Sequence, residues 1–82
     1  MIEIYATYDQ LEAEQIKGIL EEEGLPAQVR NLGISPYPIA IGTFNERRIL
    51  VMKSDRAEAN SYIARAIQDH IISANGRFIG AD

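Results

Sequence analysis

The chain has 82 residues, no cysteine and a formal net charge of −4. This length suits one domain over residues 1–82 with a single modest core. The lack of cysteine excludes a disulfide framework and cysteine-based zinc or redox chemistry. The longest uninterrupted apolar run, residues 49–52, is too short to span a membrane. We therefore expect a soluble, cytoplasmic protein that binds no metal, cofactor or membrane.

The charges are unevenly distributed along the chain. Residues 1–25 hold seven acidic side chains and one lysine, whereas residues 26–82 hold five acidic and seven basic side chains. A general nucleic-acid binder carries a basic stripe that neutralises phosphates. The acidic first third argues against such a stripe, so we expect no nucleic-acid partner.

The chain begins with a strand and a capped helix. Residues 1–8 alternate apolar and polar side chains at period two, which is typical of a half-buried strand. Asp9 and Glu12 form a capping-box pattern, in which each side chain accepts a backbone N–H at the helix start, and this pattern accounts for both carboxylates. Apolar residues at helical spacing continue to about Glu23, where Gly24 is expected to end the helix.

Two further strands flank an unusually apolar connection. Residues 27–31 alternate at period two, and the centre of residues 47–53 is apolar on both faces, which is typical of a central strand. The connection, residues 32–45, is long for a small domain and too apolar for a solvated loop, so we expect it to be packed or functional. The Tyr37-Pro38 bond is compatible with either isomer.

The strongest helical pattern covers residues 54–74. Its apolar side chains recur every three or four positions, and Asp55 with Glu58 repeats the capping-box pattern. With Asn75-Gly76 as a left-handed stop, this predicts a helix of about twenty residues. His70 falls on the apolar stripe and is interpreted as a packing or interface residue. Residues 77–82 form either a short edge strand or a frayed tail.

The element order β-α-β-β-α-β predicts an α+β, ferredoxin-like sandwich. Two right-handed split βαβ units give a four-stranded sheet with both helices on one face. The first and third strands are expected at the centre and the second at an edge. The D-x-x-E-A pattern at Asp9 and again at Asp55 supports two related halves.

In this fold the sheet face opposite the helices has an apolar centre and a charged rim. Exposed apolar patches mark interaction sites, so we expect a protein partner or a second copy to bind this face and the 32–45 loop. The alternative is that the loop folds back over the face. A charge at Leu50 is then expected to disrupt binding without unfolding the domain. The candidate partner-binding residues are Tyr5, Tyr37, Ile39, Phe44, Arg48, Leu50 and Met52.

A second hypothesis concerns three arginines near the third strand. Arg47, Arg48 and Arg56 could hold an anionic metabolite or a nucleotide, because arginine binds carboxylates and phosphates in a bidentate manner. The alternative is that these arginines form a solvated rim or pair with the acidic first helix of another copy of the chain. The sequence has no phosphate-binding glycine loop, no nucleophile elbow and no second histidine for a metal site. We therefore do not expect an enzyme.

Short sequence motifs along nearly the whole chain resemble those of the family of small prokaryotic putative signal transducing proteins. The resemblance implies a ferredoxin-like domain that is similar in shape to the nitrogen-regulatory PII proteins, and it brings no catalytic residues. The PII proteins bind ATP and 2-oxoglutarate between subunits, and extending this to the present chain rests on fold analogy. The sequence motifs that carry the resemblance are Ile4-Tyr5-Ala6, Leu11-Glu12-Ala13-Glu14, Glu23-Gly24-Leu25-Pro26-Ala27 and Ile49-Leu50-Val51.

Taken together, these patterns favour a non-catalytic regulatory or protein-interaction domain in signal transduction. We expect a homodimer or small homo-oligomer. The alternative is a PII-like sensor of an anionic small molecule.

Overall fold

The computed structural model describes residues 1–32 and 46–80. Their order confirms the predicted β-α-β-β-α-β arrangement, with a short 3-10 turn, Lys53–Asp55, before the second helix. The elements are β1 (Ile2–Thr7), α1 (Gln10–Glu22), β2 (Ala27–Asn31), β3 (Arg47–Val51), α2 (Arg56–Gln68) and β4 (Arg77–Phe78).

The four strands form one antiparallel sheet in the order β2-β3-β1-β4. β1 and β3 are central and β2 is an edge strand, as predicted. Of the two interpretations of the tail, the strand is observed: Arg77 and Phe78 pair with β1 at the other edge. The ferredoxin-like sandwich is confirmed, because both helices pack on the same side of this sheet.

The core lies between the helices and one face of the sheet. Every second residue of β3 points into it, and each helix contributes three fully or nearly fully buried apolar side chains. The helix residues are Ala13, Ile16, Leu20, Ala59, Ile63 and Ala66, and the β3 residues are Ile49 and Val51.

Helix α1 begins and ends where the sequence predicts. The Asp9 side chain accepts the backbone N–H of Glu12 at 3.1 Å. At the other end Gly24 has φ +83°, a left-handed conformation that glycine adopts without steric cost. The N–H of Leu25 donates to the carbonyl of Leu20 at 2.9 Å, which completes a Schellman motif.

Helix α2 is shorter than predicted and has different ends. It has 13 residues, and the Asp55 side chain makes no capping hydrogen bond. The Glu58 carboxylate instead accepts the Tyr62 hydroxyl at 3.3 Å. The helix ends in a second Schellman turn, in which His70 has φ +58° and the N–H of Ile71 donates to the carbonyl of Ala66 at 2.9 Å. His70 is therefore exposed, and its predicted place on the buried stripe is wrong.

A β-bulge in β1 reverses the face on which Tyr5 lies. The register to β3 shifts between Glu3, which pairs with Leu50, and Tyr5, which pairs with Ile49. An inserted residue moves every later side chain of the strand to the other face. Tyr5 thus points into the core between sheet and helices, and its predicted place on the open face is wrong. Ala6 takes that place, opposite Arg48.

Candidate functional site

The open sheet face carries a ladder of ion pairs that crosses all four strands. Glu3 accepts Arg30 at 3.2 Å and Arg48 at 2.8 Å. Glu46 accepts Arg48 at 2.5 Å and Arg77 at 3.1 Å. The hydrogen bond from Arg48 lowers the pKa of Glu46. The charges of this face are therefore paired with one another, with three arginines to two glutamates, although exposed pairs of this kind add only about 0–1 kcal/mol each.

The apolar residues predicted for this face differ in accessibility. Leu50 lies opposite Glu3 and Gln28 but is only 5% exposed, whereas Met52 is 46% exposed. Glutamate at position 50 would bury a charge, so we now expect Leu50→Glu to destabilise the fold, in contrast to the expectation from the sequence that the domain tolerates it. Met52 is the residue at which the open face can be tested.

The three arginines of the anion hypothesis do not converge. Arg47 and Arg48 are consecutive on β3 and therefore point to opposite faces of the sheet. Arg47 is buried and donates to the Tyr8 carbonyl at 3.5 Å, while Arg48 is held between Glu3 and Glu46. Arg56 lies at the start of α2, near Gly80. An anion at Arg48 would have to displace two carboxylates.

The predicted loop residues Tyr37, Ile39 and Phe44, and the Tyr37-Pro38 bond, lie outside the described residues. The two ends of that segment are joined, because the N–H of Leu32 donates to the carbonyl of Glu46 at 2.8 Å. This junction fixes which end of the domain the segment leaves and enters. We call this end of the domain the loop end. Strands β1 and β2 and helix α2 finish there, and strand β3 and helix α1 begin there.

A fully buried carboxylate, Glu12, lies just inside the loop end. Its Oε1 accepts the Tyr5 hydroxyl at 3.0 Å, and its Oε2 accepts the Ser73 hydroxyl at 3.0 Å and the Asn75 N–H at 2.8 Å. The N–H of Gly76 in turn donates to the Tyr5 hydroxyl at 3.2 Å. Glu12 thus ties α1 to the segment between α2 and β4. Its interpretation as a capping side chain is wrong.

The same cluster gives Tyr5 an unusual titration. Burial, with the Glu12 carboxylate as a second cause, raises the pKa of Tyr5 to about 12. The phenol of an unfolded chain has a pKa of about 10, so between these values only the folded state keeps the proton. We therefore expect the free energy of unfolding to fall as the pH rises through this window, by about 2–3 kcal/mol in all, with the full contribution of Tyr5 present below it.

Urea unfolding of the natural chain and of Tyr5→Phe at about pH 9 and about pH 12 measures this effect. Groups that titrate in both proteins cancel, so the natural chain should lose more stability than the variant. Equal losses in the two proteins would contradict the assignment of the window to Tyr5.

A pocket of about 630 Å³ opens on the outer side of the Glu12 cluster. The backbone N–H of Glu12, followed by the Asn75 side chain, lowers the pKa of the Asp9 carboxyl in its wall. Among the described residues, no lysine or arginine lines the pocket. Its lining residues are Asp9, Leu11, Gln15, Ile67, His70, Ile71, Ile72, Ser73, Ala74 and Asn75.

Large apolar side chains are exposed around this pocket and beside it. Leu11 is 67% exposed, Ile71 59%, Tyr8 52% and Leu32 44%. They come from three separate parts of the chain, residues 8–11, 32 and 71, which all lie at the loop end. The sequence pattern did not reveal them, because Leu11 and Ile71 have the spacing of core residues. The one signal of these residues in the sequence was that Tyr8 and Leu11 lie on either side of the N-cap residue Asp9. There the first turn of α1 extends past the sheet.

The described residues offer little other chemistry. Within residues 1–32 and 46–80, no group of three or more histidine, aspartate or glutamate side chains could hold a metal ion. Neither helix of this part of the chain is long and apolar enough to cross a membrane. The loop end, which holds the pocket and the exposed apolar side chains, is the candidate site.

Comparison with known proteins identifies the family. No match was found among curated proteins or among solved structures. Residues 1–67 match a family that is described as putative prokaryotic signal transducing protein. Because that match runs from β1 into the last turn of α2, the chain belongs to this family.

Proposed function

We propose that the chain is a non-catalytic protein-interaction domain in signal transduction, and that its partner binds at the loop end. The observation that carries this proposal is the exposure of Tyr8, Leu11, Leu32 and Ile71 at one end of the domain. Exposed apolar surface of this kind marks interaction sites, because water contact with it is unfavourable.

The arrangement of the surrounding residues supports the proposal. The pocket between Leu11 and Ile71 is open and can accept a side chain of another protein. Its inner wall is fixed by the hydrogen bonds of Ser73 and Asn75 to Glu12, so the surface is preformed. A preformed surface loses less conformational entropy on binding.

The open sheet face is the weaker candidate surface. Its charges are paired with one another across the strands, and Leu50 at its centre is buried. The family description supports a signalling role in general but names no partner or ligand. We therefore place the partner at the loop end, and use the open face as the comparison surface in the test.

Replacing Leu11 by glutamate is expected to weaken partner binding at least about tenfold while the domain stays folded. Burying a leucine side chain contributes about 1.5–3 kcal/mol, which is lost when a charge occupies its place. The side chain is mostly exposed in the free protein, so the midpoint of thermal unfolding should change little. The measurement is affinity capture with the natural chain as bait, followed by calorimetric titration of each captured protein.

Met52→Glu is the matched control, since Met52 is also an exposed apolar residue but lies on the open-face side at the other end of β3. It should bind like the natural chain. Equal binding by the Leu11 variant and loss of binding by the Met52 variant would move the interface to the open face. Light scattering on the same proteins shows whether a second copy is the partner.

A further inference from the structure

The two charged surfaces of the domain differ in whether their charges are already paired. On the open sheet face, the arginines and glutamates pair with one another. On α1, within the part of the chain that the structure describes, no ion pair involves a carboxylate. The exposed carboxylates of this helix and of the residue that follows it are Glu14, Glu21, Glu22 and Glu23.

Glu21, Glu22 and Glu23 lie at the far end of α1, whereas Glu14 and two further carboxylates adjoin the apolar surface of the loop end. Glu14 follows Leu11 by three positions and so is its neighbour on the surface of α1. Asp9 lies in the pocket wall, and the exposed Asp69 precedes His70 and Ile71 in the turn that ends α2.

Two basic side chains also lie on these helices. Lys17 is partly buried on α1, and Arg65 lies four positions before Asp69 on α2. Neither lines the pocket. The surface around Leu11 therefore keeps an acidic balance.

We infer that the partner segment at the loop end is basic and carries a large aliphatic side chain that enters the pocket between Leu11 and Ile71. This inference rests on the proposed function and adds the chemistry of the partner to it. The aliphatic side chain contacts Leu11, Ile67 and Ile71, while lysine or arginine side chains face Glu14 and Asp69.

A second copy of the chain fits this surface poorly. A twofold contact through the loop end would bring the acidic start of α1 against its own image, with Asp9 and Glu14 on both sides. Like charges that face each other across an interface oppose binding. A basic partner avoids this repulsion, because its positively charged side chains pair with the acidic side chains of the loop end.

Fluorescence anisotropy with three labelled peptides of equal length tests the inference on the full chain. The first peptide combines lysines with leucines at helical spacing, the second replaces its leucines by serine, and the third replaces its lysines by glutamate. The first should bind most tightly, and its binding should weaken as the salt concentration rises.

Two pairs of variants locate the contact. Leu11→Ser should raise the Kd for the first peptide by about tenfold or more, and Met52→Ser should leave it unchanged. Glu14→Gln should raise it by about twofold to fivefold, whereas Glu58→Gln, an exposed carboxylate at the other end of α2, should not.

The outcomes separate this inference from the proposed function. Leucine-dependent binding of the acidic peptide, lost in Leu11→Ser, would overturn the basic partner and keep the loop end as the interface. Equal binding of the two lysine peptides would overturn the aliphatic anchor. Failure of the first peptide to bind, or binding that Leu11→Ser does not change, would overturn the inference altogether. The proposed function is then tested separately by the capture experiment with Leu11→Glu.

Discussion

Replacing Gly76 by alanine is expected to destabilise the domain by about 3 kcal/mol or more. A Cβ at this position would overlap the backbone oxygen of Ala6, and it would lie 2.6 Å from Cε2 of Tyr5 and 2.9 Å from Cβ of Thr7. Real Cβ atoms do not approach other atoms so closely, and the central strand β1 cannot move aside without breaking its pairing on both sides. The segment between α2 and β4 must then detach from β1.

Thermal unfolding measures this effect, with Gly18→Ala as the matched control. Gly18 lies within α1, and no neighbouring atom lies within 4 Å of the place that an alanine methyl group would take, so alanine there gains helix propensity without a clash. We expect the control to raise the midpoint by about 2–8 °C and Gly76→Ala to lower it by about 12 °C or more. A Gly76 variant as stable as the natural chain would mean that the segment does not pack on β1 as described.

Replacing Glu12 by alanine is expected to cost about 3–5 kcal/mol of unfolding free energy. The change leaves a cavity beneath α1 and removes the acceptor of three donors: the Tyr5 hydroxyl, the Ser73 hydroxyl and the Asn75 N–H. The Asn75 amide is then left without this partner in a partly buried place. A small domain has a total stability of only about 5–15 kcal/mol, so much of it would be lost.

The Glu12→Gln variant separates the effect of side-chain shape on stability from the effect of the negative charge. The amide oxygen can keep the bonds from Ser73 and Asn75, and the amide nitrogen can donate to the Tyr5 hydroxyl. We therefore expect this variant to lose clearly less stability than Glu12→Ala when both are unfolded in urea. A loss as large as that of alanine would show that the negative charge, rather than the filled and hydrogen-bonded space, is what the cluster needs.

The placement of Tyr5 shows how far a strand pattern can be followed. Alternation correctly predicts that residues 2–7 form a central strand, because period two is a local property of extended backbone. It cannot show the bulge after Glu3, which depends on pairing with β3, more than forty positions away. One extra residue moved Tyr5 from the predicted interface into the core.

The placement of Glu12 shows a similar limit for capping patterns. The first half of the pattern holds, because Asp9 accepts the N–H of Glu12 within one helical turn. The second half fails because Glu12 has better partners, Ser73 and Asn75, which lie 61 and 63 positions away. The candidate site at the loop end was missed for the same reason, since its residues come together only through the packing of α1 against the end of α2.

The sequence by itself determined the element order, the central position of β1 and β3, the boundaries of α1 and the ferredoxin-like sandwich. These features follow from periodicity, caps and turn residues, which act over a few positions along the chain. Only the tertiary structure decided the bulge in β1, the burial of Glu12 and the apolar surface around Leu11 and Ile71. Each of these depends on contacts between distant segments, and hydrogen bonding and steric fit between segments outweigh the local preference of any single residue.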